Sequence, residues 1–181
     1  PWRRPDGKDN HPCGSSGFFV GARGGIVIRY NDVIGSDKHR FNDCIEGFLN
    51  SQLIESRVRK NSDIYGNMFY CGQDDTMELD GPMMNTRVYE NRMEQTLCGI
   101  STARTTVGPA YLFNNLITNL GTEQNTDRVG MAIKMGGTGP DGYAGKVFMF
   151  NNTLDNDGMR GPYNSNGVWP TEMKIWFLYS L

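Results

Sequence analysis

Apolar and polar positions along the chain repeat a short phrase: an apolar residue, two free positions, an asparagine, one free position and a second apolar residue. Five segments carry it: "IRYNDV" from Ile28, "IYGNMF" from Ile64, "VYENRM" from Val88, "LFNNLI" from Leu112 and "MFNNTL" from Met149. Their asparagines, Asn31, Asn67, Asn91, Asn115 and Asn152, are spaced by 36, 24, 24 and 37 residues. A unit of about 24 residues therefore recurs, and two units carry insertions of roughly a dozen. A second apolar-centred segment follows within each unit: "DCIE" from Asp43, "DTME" from Asp75, "CGIS" from Cys98, "VGMA" from Val129 and "DGMR" from Asp157. Two short strands per unit, separated by a bend where asparagine accepts a left-handed backbone, predict a parallel β-solenoid with one coil per unit. Asparagine then stacks on asparagine from coil to coil, and the aliphatic positions stack inside. Met and Phe at the apolar positions of the phrase are expected in the core.

Alignment of the second segments places Asp43, Asp75, Cys98, Val129 and Asp157 in one column. Glu46, Glu78, Ser101, Ala132 and Arg160 form another. With Ile45, Met77 and Ile100 pointing inward, strand alternation sends Glu46, Glu78 and Ser101 outward, and Asp80, two positions beyond Glu78, is expected on the same face. Coils lie about 4.8 Å apart and residues i and i+2 about 6.6 Å apart, so Glu46, Glu78 and Asp80 should form a compact outward triangle, with Asp75 beside it. Carboxylates about 5 to 5.5 Å apart suit retaining glycoside hydrolysis, and those about 6.5 to 9.5 Å apart suit inversion. The same triangle offers oxygens to Ca²⁺. The plain alternative is a solvated strand face that discourages edge pairing.

Composition changes the picture mainly by exclusion. The chain has 181 residues with 38% apolar side chains, enough for one domain with a core. Eighteen basic residues face twenty acidic ones, giving a net charge of -2 with no basic block, so no nucleic-acid partner is expected. No apolar run approaches the roughly 18 residues of a membrane span, and the first residues, "PWRRPDGKDNHPCGSSG", lack the apolar core of a signal peptide. The chain is expected to be soluble, with any export signal removed or never present. Cys13, Cys44, Cys71 and Cys98 show no CxxC spacing. Cys44 and Cys98 fall two coils apart, too far for a disulfide, while Cys13 could pair with Cys44 or Cys71. "MGGTGPDGYAG", from Met135, reads as an insertion rather than a phosphate loop, because no Lys-Ser/Thr follows its glycines.

From Ile28 to Arg160 the units resemble the right-handed parallel β-helix proteins of the pectate-lyase-like superfamily, which carry such asparagine-bearing turns. The resemblance implies an all-β chain: a right-handed parallel β-helix of about six coils with loop insertions. Residues 1–24 would be an irregular segment and first coil, and 25–181 the β-helix, part of a longer or assembled one. It also implies a secreted or cell-surface protein with a polysaccharide partner. In "GQDD", Asp74 and Asp75 look like the paired aspartates of polygalacturonases, with Asp43 as the earlier one. The Gly-His-Gly element has no counterpart, since His11 and His39 are not flanked by glycines. The chondroitinase B and alginate lyase group is also similar. Glu78 and Asp80 look like its acid pair for Ca²⁺, Glu46 like the ligand one coil earlier and Arg104 like its arginine. "GPMMN" stands where its lysine base would be, leaving Lys134, two coils on, as the one substitute.

The implied catalytic residues are thus Asp75, Glu78 and Arg104, and the implied metal ligands Glu46, Glu78 and Asp80, with Ca²⁺ as the only cofactor. Two other classes compete with a polysaccharide lyase or hydrolase: a non-catalytic module for carbohydrate binding or adhesion, and a self-assembling segment. The last rests on "EMKIWFLYSL", whose Trp176, Phe177, Leu178 and Tyr179 would sit near an uncapped end, covered by a second copy or by further coils.

Overall fold

In each phrase the residue before the asparagine takes the left-handed backbone: Tyr30, Gly66, Glu90, Asn114 and Asn151, with φ of 54°, 65°, 55°, 55° and 54°. The asparagines themselves keep ordinary φ. Each phrase is consequently a strand, a sharp bend and a second strand, so a coil holds three strands rather than the expected two. The architecture comes from a computed structural model that describes residues 14–47, 55, 58–103, 105–120, 131–135, 145–155 and 176–177.

Three parallel sheets result, each adding one strand per coil. Sheet A stacks β1 (Phe18–Val20), β4 (Ile45–Gly47), β7 (Asp75–Glu78), β10 (Cys98–Ser101) and β13 (Met131–Lys134). Sheet B stacks β2 (Val27–Arg29), β5 (Asp63–Tyr65), β8 (Thr86–Tyr89), β11 (Ala110–Phe113), β14 (Val147–Phe150) and β16 (Trp176–Phe177). Sheet C stacks β3 (Asp32–Ile34), β6 (Met68–Tyr70), β9 (Arg92–Glu94), β12 (Leu116–Thr118) and β15 (Thr153–Asp155). The described residues thus form a parallel β-helix of five three-stranded coils, with β16 opening a sixth. Among the described residues there is no helix, and none long and apolar enough to cross a membrane. Leu178 and Tyr179 of the expected aromatic end lie outside the described residues, as do Asp157 and Arg160.

The core is built from the phrase. Its first apolar positions oppose one another through sheet B as Ile28, Ile64, Val88, Leu112 and Met149. Its last apolar positions do so through sheet C as Val33, Phe69, Met93, Ile117 and Leu154. All are buried except Leu154 on the fifth coil. Sheet A closes the core with Ile45, Met77, Ile100 and Ile133. A fully buried aliphatic side chain is worth about 1.5–3 kcal/mol, so these three columns are the main source of stability.

Between sheets B and C runs the asparagine ladder. The Nδ2 of Asn31, Asn67, Asn91 and Asn115 donates to the Oδ1 of the asparagine one coil later at 3.0, 2.9, 3.0 and 2.9 Å. Their backbone N–H groups donate to the same oxygens. The inner Nδ2 groups also donate to carbonyls: Asn67 to Tyr65 and Ile28, Asn91 to Tyr89 and Ile64, each on its own and the preceding coil, and Asn115 to Val88 on the preceding coil. The bend's polar groups are satisfied inside the protein, which permits burial.

One register differs from expectation. Cys98, Ile100 and Ser101 oppose Met131, Ile133 and Lys134, whereas the "VGMA" alignment had put Val129 and Ala132 in those columns. Ile133 fills the core slot over Ile100, and half-buried Met131 does not. A two-residue shift preserves which side chains face the core, but it brings Lys134 into the column of Glu46 and Glu78.

Candidate functional site

The acids of sheet A gather at the entries of β4 and β7, yet they do not form a wet face. Asp43 and Asp75 precede Ile45 and Met77 by two positions and share their parity. Both are only 1% exposed, and Asp74 is also buried. Carboxylate oxygens of Asp43, Asp74 and Asp75 lie within 4.8 Å of one another, and so do those of Asp43, Glu46 and Glu78. Asp43 belongs to both groups, linking a buried inner set to an outer pair, Glu46 and Glu78, that is half-buried.

Local hydrogen bonds fix this arrangement. The Asp75 N–H donates to Asp43 Oδ1 at 3.0 Å, and Asn42 Nδ2 donates to Asp43 Oδ2 at 2.9 Å. The Asp74 N–H donates to the Asn42 carbonyl at 3.1 Å, and the Ser16 hydroxyl donates to Glu46 Oε1. From the fifth coil, Lys134 Nζ reaches Asp75 Oδ2 at 2.6 Å. Asp75 Oδ1 and Asn42 Oδ1 are buried and have no hydrogen-bond partner.

The electrostatics follow from burial and crowding. Burial, reinforced by the charges of Asp74, Asp75, Glu78 and Glu46, pushes the Asp43 carboxyl up to about 9. Burial alone would lower Lys134, but Asp75, helped by Asp80 and Asp74, outweighs it and holds the ammonium charged well above its ordinary range. Lys134 therefore serves as a fixed positive charge and not as a free base.

Of the expected metal set, Glu46 and Glu78 come together, with Asp43 as their third carboxylate. Asp80 is elsewhere engaged, because β7 ends at Glu78 and the alternation that would keep Asp80 outward ends with it. Its Oδ1 accepts from the Ser101 hydroxyl at 2.7 Å and from the Ala103 N–H at 2.9 Å, tying the third coil to the fourth. Ser101, expected outward, is buried. Of the expected catalytic set, Asp75 is buried at the lysine, Glu78 is half-buried beside Asp43 and Glu46, and Arg104 lies outside the described residues. Asp43, Asp74 and Lys134 belong to the acidic cluster and are omitted from the expected sets. The signals for the two aspartates were the tandem acids of "GQDD" and the shared column of Asp43 and Asp75, whereas nothing in the expected register pointed to Lys134.

A second outward feature lies at the free position after the first apolar residue of each phrase. Tyr65, Tyr89, Phe113 and Phe150 stack with centroids 4.7, 4.9 and 4.9 Å apart and planes within 5° of parallel. Stacked rings present edges rather than faces, so this column stabilises sheet B, by about 0.5–1.5 kcal/mol per pair, and offers no platform for a sugar ring. Comparison with family models, with curated proteins and with solved structures gives no match for this chain.

Proposed function

We propose that the chain is a secreted or cell-surface, carbohydrate-active β-helix protein that takes a polysaccharide at the acidic pocket of sheet A. The supporting observation is the outer pair: Glu46 and Glu78, on adjacent coils, reach the surface with carboxylate oxygens within 4.8 Å of each other and of Asp43. That closeness favours the retaining arrangement of glycoside hydrolysis, whose carboxyl groups lie about 5–5.5 Å apart. One glutamate would protonate the leaving oxygen, and the other would attack the anomeric carbon. Asp75, too buried to touch substrate, positions Lys134, and Arg104 is the remaining cation proposed at the sugar. The charged state of Lys134 favours this chemistry over lyase elimination, which needs a neutral base. Release of reducing ends from a panel of neutral and uronate polysaccharides tests the reading. Cleavage should be lost in Glu78→Gln and in Glu46→Gln, and a wild-type chain inert on the whole panel overturns the catalytic form.

A second reading, end-to-end assembly, is favoured by a separate observation. Of the six exposed large hydrophobic side chains among the described residues, four sit on the first coil: Phe19, Val27, Tyr30 and Ile34. The strands that carry Phe19, Val27 and Ile34, namely β1, β2 and β3, form one edge of each sheet among the described residues, and Tyr30 lies in the bend between β2 and β3. Bare, flat solenoid edges recruit further strands. A mass in light scattering that falls to the monomer in Ile34→Lys supports it, and a wild-type monomer at high concentration removes it.

A further inference from the structure

The geometry points to a divalent-cation site at the buried end of the acidic cluster, formed by carboxylate oxygens of Asp43, Asp74 and Asp75. The three carboxylates come from two adjacent coils and are each at least nine-tenths buried, with one oxygen apiece inside a 4.8 Å span. Two oxygens bound to one Ca²⁺ at about 2.3–2.6 Å can be separated by up to roughly twice that distance, so a single ion of this size can touch all three. The span alone describes any acidic cluster. What points to a ligand is the pair of stranded acceptors: Asp75 Oδ1, left over when Lys134 takes Oδ2, and Asn42 Oδ1, left over when its Nδ2 bonds to Asp43. Buried oxygens without donors are costly, and a cation satisfies several at once. Both of Asp43's hydrogen-bond donors, the Asp75 N–H and the Asn42 amide, are neutral groups.

The donor set is entirely oxygen, which selects hard ions such as Ca²⁺, Mn²⁺ or Mg²⁺ over zinc. Glu46 and Glu78 are the half-buried carboxylates next to the site and mark the route from solvent. An ion there would cross-link β4 to β7, holding the second coil to the third. This inference uses the same pocket as the polysaccharide reading but needs no carbohydrate.

Thermal unfolding and titration calorimetry of the full chain, stripped with chelator and titrated with CaCl₂, MgCl₂ or MnCl₂, provide the test. At least one ion should bind saturably, at about one per chain. It should raise the melting temperature by on the order of 5 °C at roughly a hundredfold excess over Kd. Binding should vanish in Asp74→Asn and in Asp43→Asn and persist in Glu78→Gln, whose carboxylate belongs only to the outer pair. Wild-type protein that binds none of the three ions, meaning that only water fills the space, overturns the proposal. So does binding that survives Asp74→Asn or is lost in Glu78→Gln. If Asp43→Asn does not fold, wild-type calorimetry and Asp74→Asn decide the question. Polysaccharide cleavage measured in chelator reports separately on the catalytic reading.

Discussion

Lys134 Nζ sits 2.6 Å from Asp75 Oδ2, although the residues are 59 positions apart and their strands do not pair. β13 pairs with β10, and β10 with β7, so the lysine spans two strand spacings, about 9.6 Å, and pins the fifth coil to the third.

Lys134→Met should therefore destabilise the chain more than a surface lysine does, because it leaves a buried carboxylate without its counter-ion. Breaking a buried pair costs about 3–5 kcal/mol. Because the Lys134 side chain is 32% exposed, solvent screening reduces the expected loss to roughly 2 kcal/mol. Asp75→Asn combined with Lys134→Met should recover most of that loss. Urea midpoints of the four proteins, measured in chelator, give the coupling, and a Lys134→Met variant within 0.5 kcal/mol of wild type, about the scatter of surface substitutions, would show that the contact carries no stability.

The solenoid was legible because asparagine has a chemistry that repeats visibly. Its amide both donates and accepts, so one residue type at one position can link every coil, and Asn67, Asn91 and Asn115 mark the ladder in the sequence. The third strand was not legible: the left-handed residue is the one before each asparagine, and Tyr30, Gly66, Glu90, Asn114 and Asn151 are of four different types. The pocket was half legible. Alternation from Ile45 and Met77 puts Asp43 and Asp75 on the core side, but the expected sets followed the outward triangle of Glu46, Glu78 and Asp80, placed Asp75 beside it and left Asp43 out, since burying a carboxylate is costly. The fold instead meets that cost with Lys134 and the Asn42 amide. Lys134 itself was hidden by a two-residue register, since "VGMA" and "MAIK" both present an apolar residue at the core position, and only packing over Ile100 selects Ile133.

The ladder predicts a gradient of mutational cost. Asn91 is 2% exposed. Its Oδ1 accepts from the Asn67 N–H and Nδ2, and its own Nδ2 donates to Ile64 O, Tyr89 O and Asn115 Oδ1. Asn91→Ala strands several buried groups, each costing about 1–3 kcal/mol, so a loss on the order of 4 kcal/mol is expected. Asn31, half-buried on the first coil, should cost only about 1 kcal/mol when changed to Ala. Chemical denaturation of both variants checks the order, and equal losses would mean that the ladder is not cooperative with the coils.

The pocket's sulfur neighbours give a pH-dependent prediction. Cys44 is fully buried, and burial, reinforced by the nearby Asp43 and Cys71, raises its thiol from about 9 to about 12. Between those values the folded chain binds more protons than the unfolded chain. Stability should thus be unaffected by this group below pH 9 and should fall as pH rises from 9 toward 12. In the native protein at pH 8, iodoacetamide should leave Cys44 unmodified, because the thiolate fraction of a thiol titrating near 12 is about 10⁻⁴ there, and Cys98, whose thiol burial also raises, should be protected with it. Peptide mass mapping with and without denaturant reads the protection. The linkage is checked by urea midpoints at pH 8 and pH 10, with Cys44→Ala as the control that should flatten part of the slope. Rapid native alkylation of Cys44 at pH 8, or an unchanged slope in Cys44→Ala, would contradict a thiol sealed beside the acidic pocket.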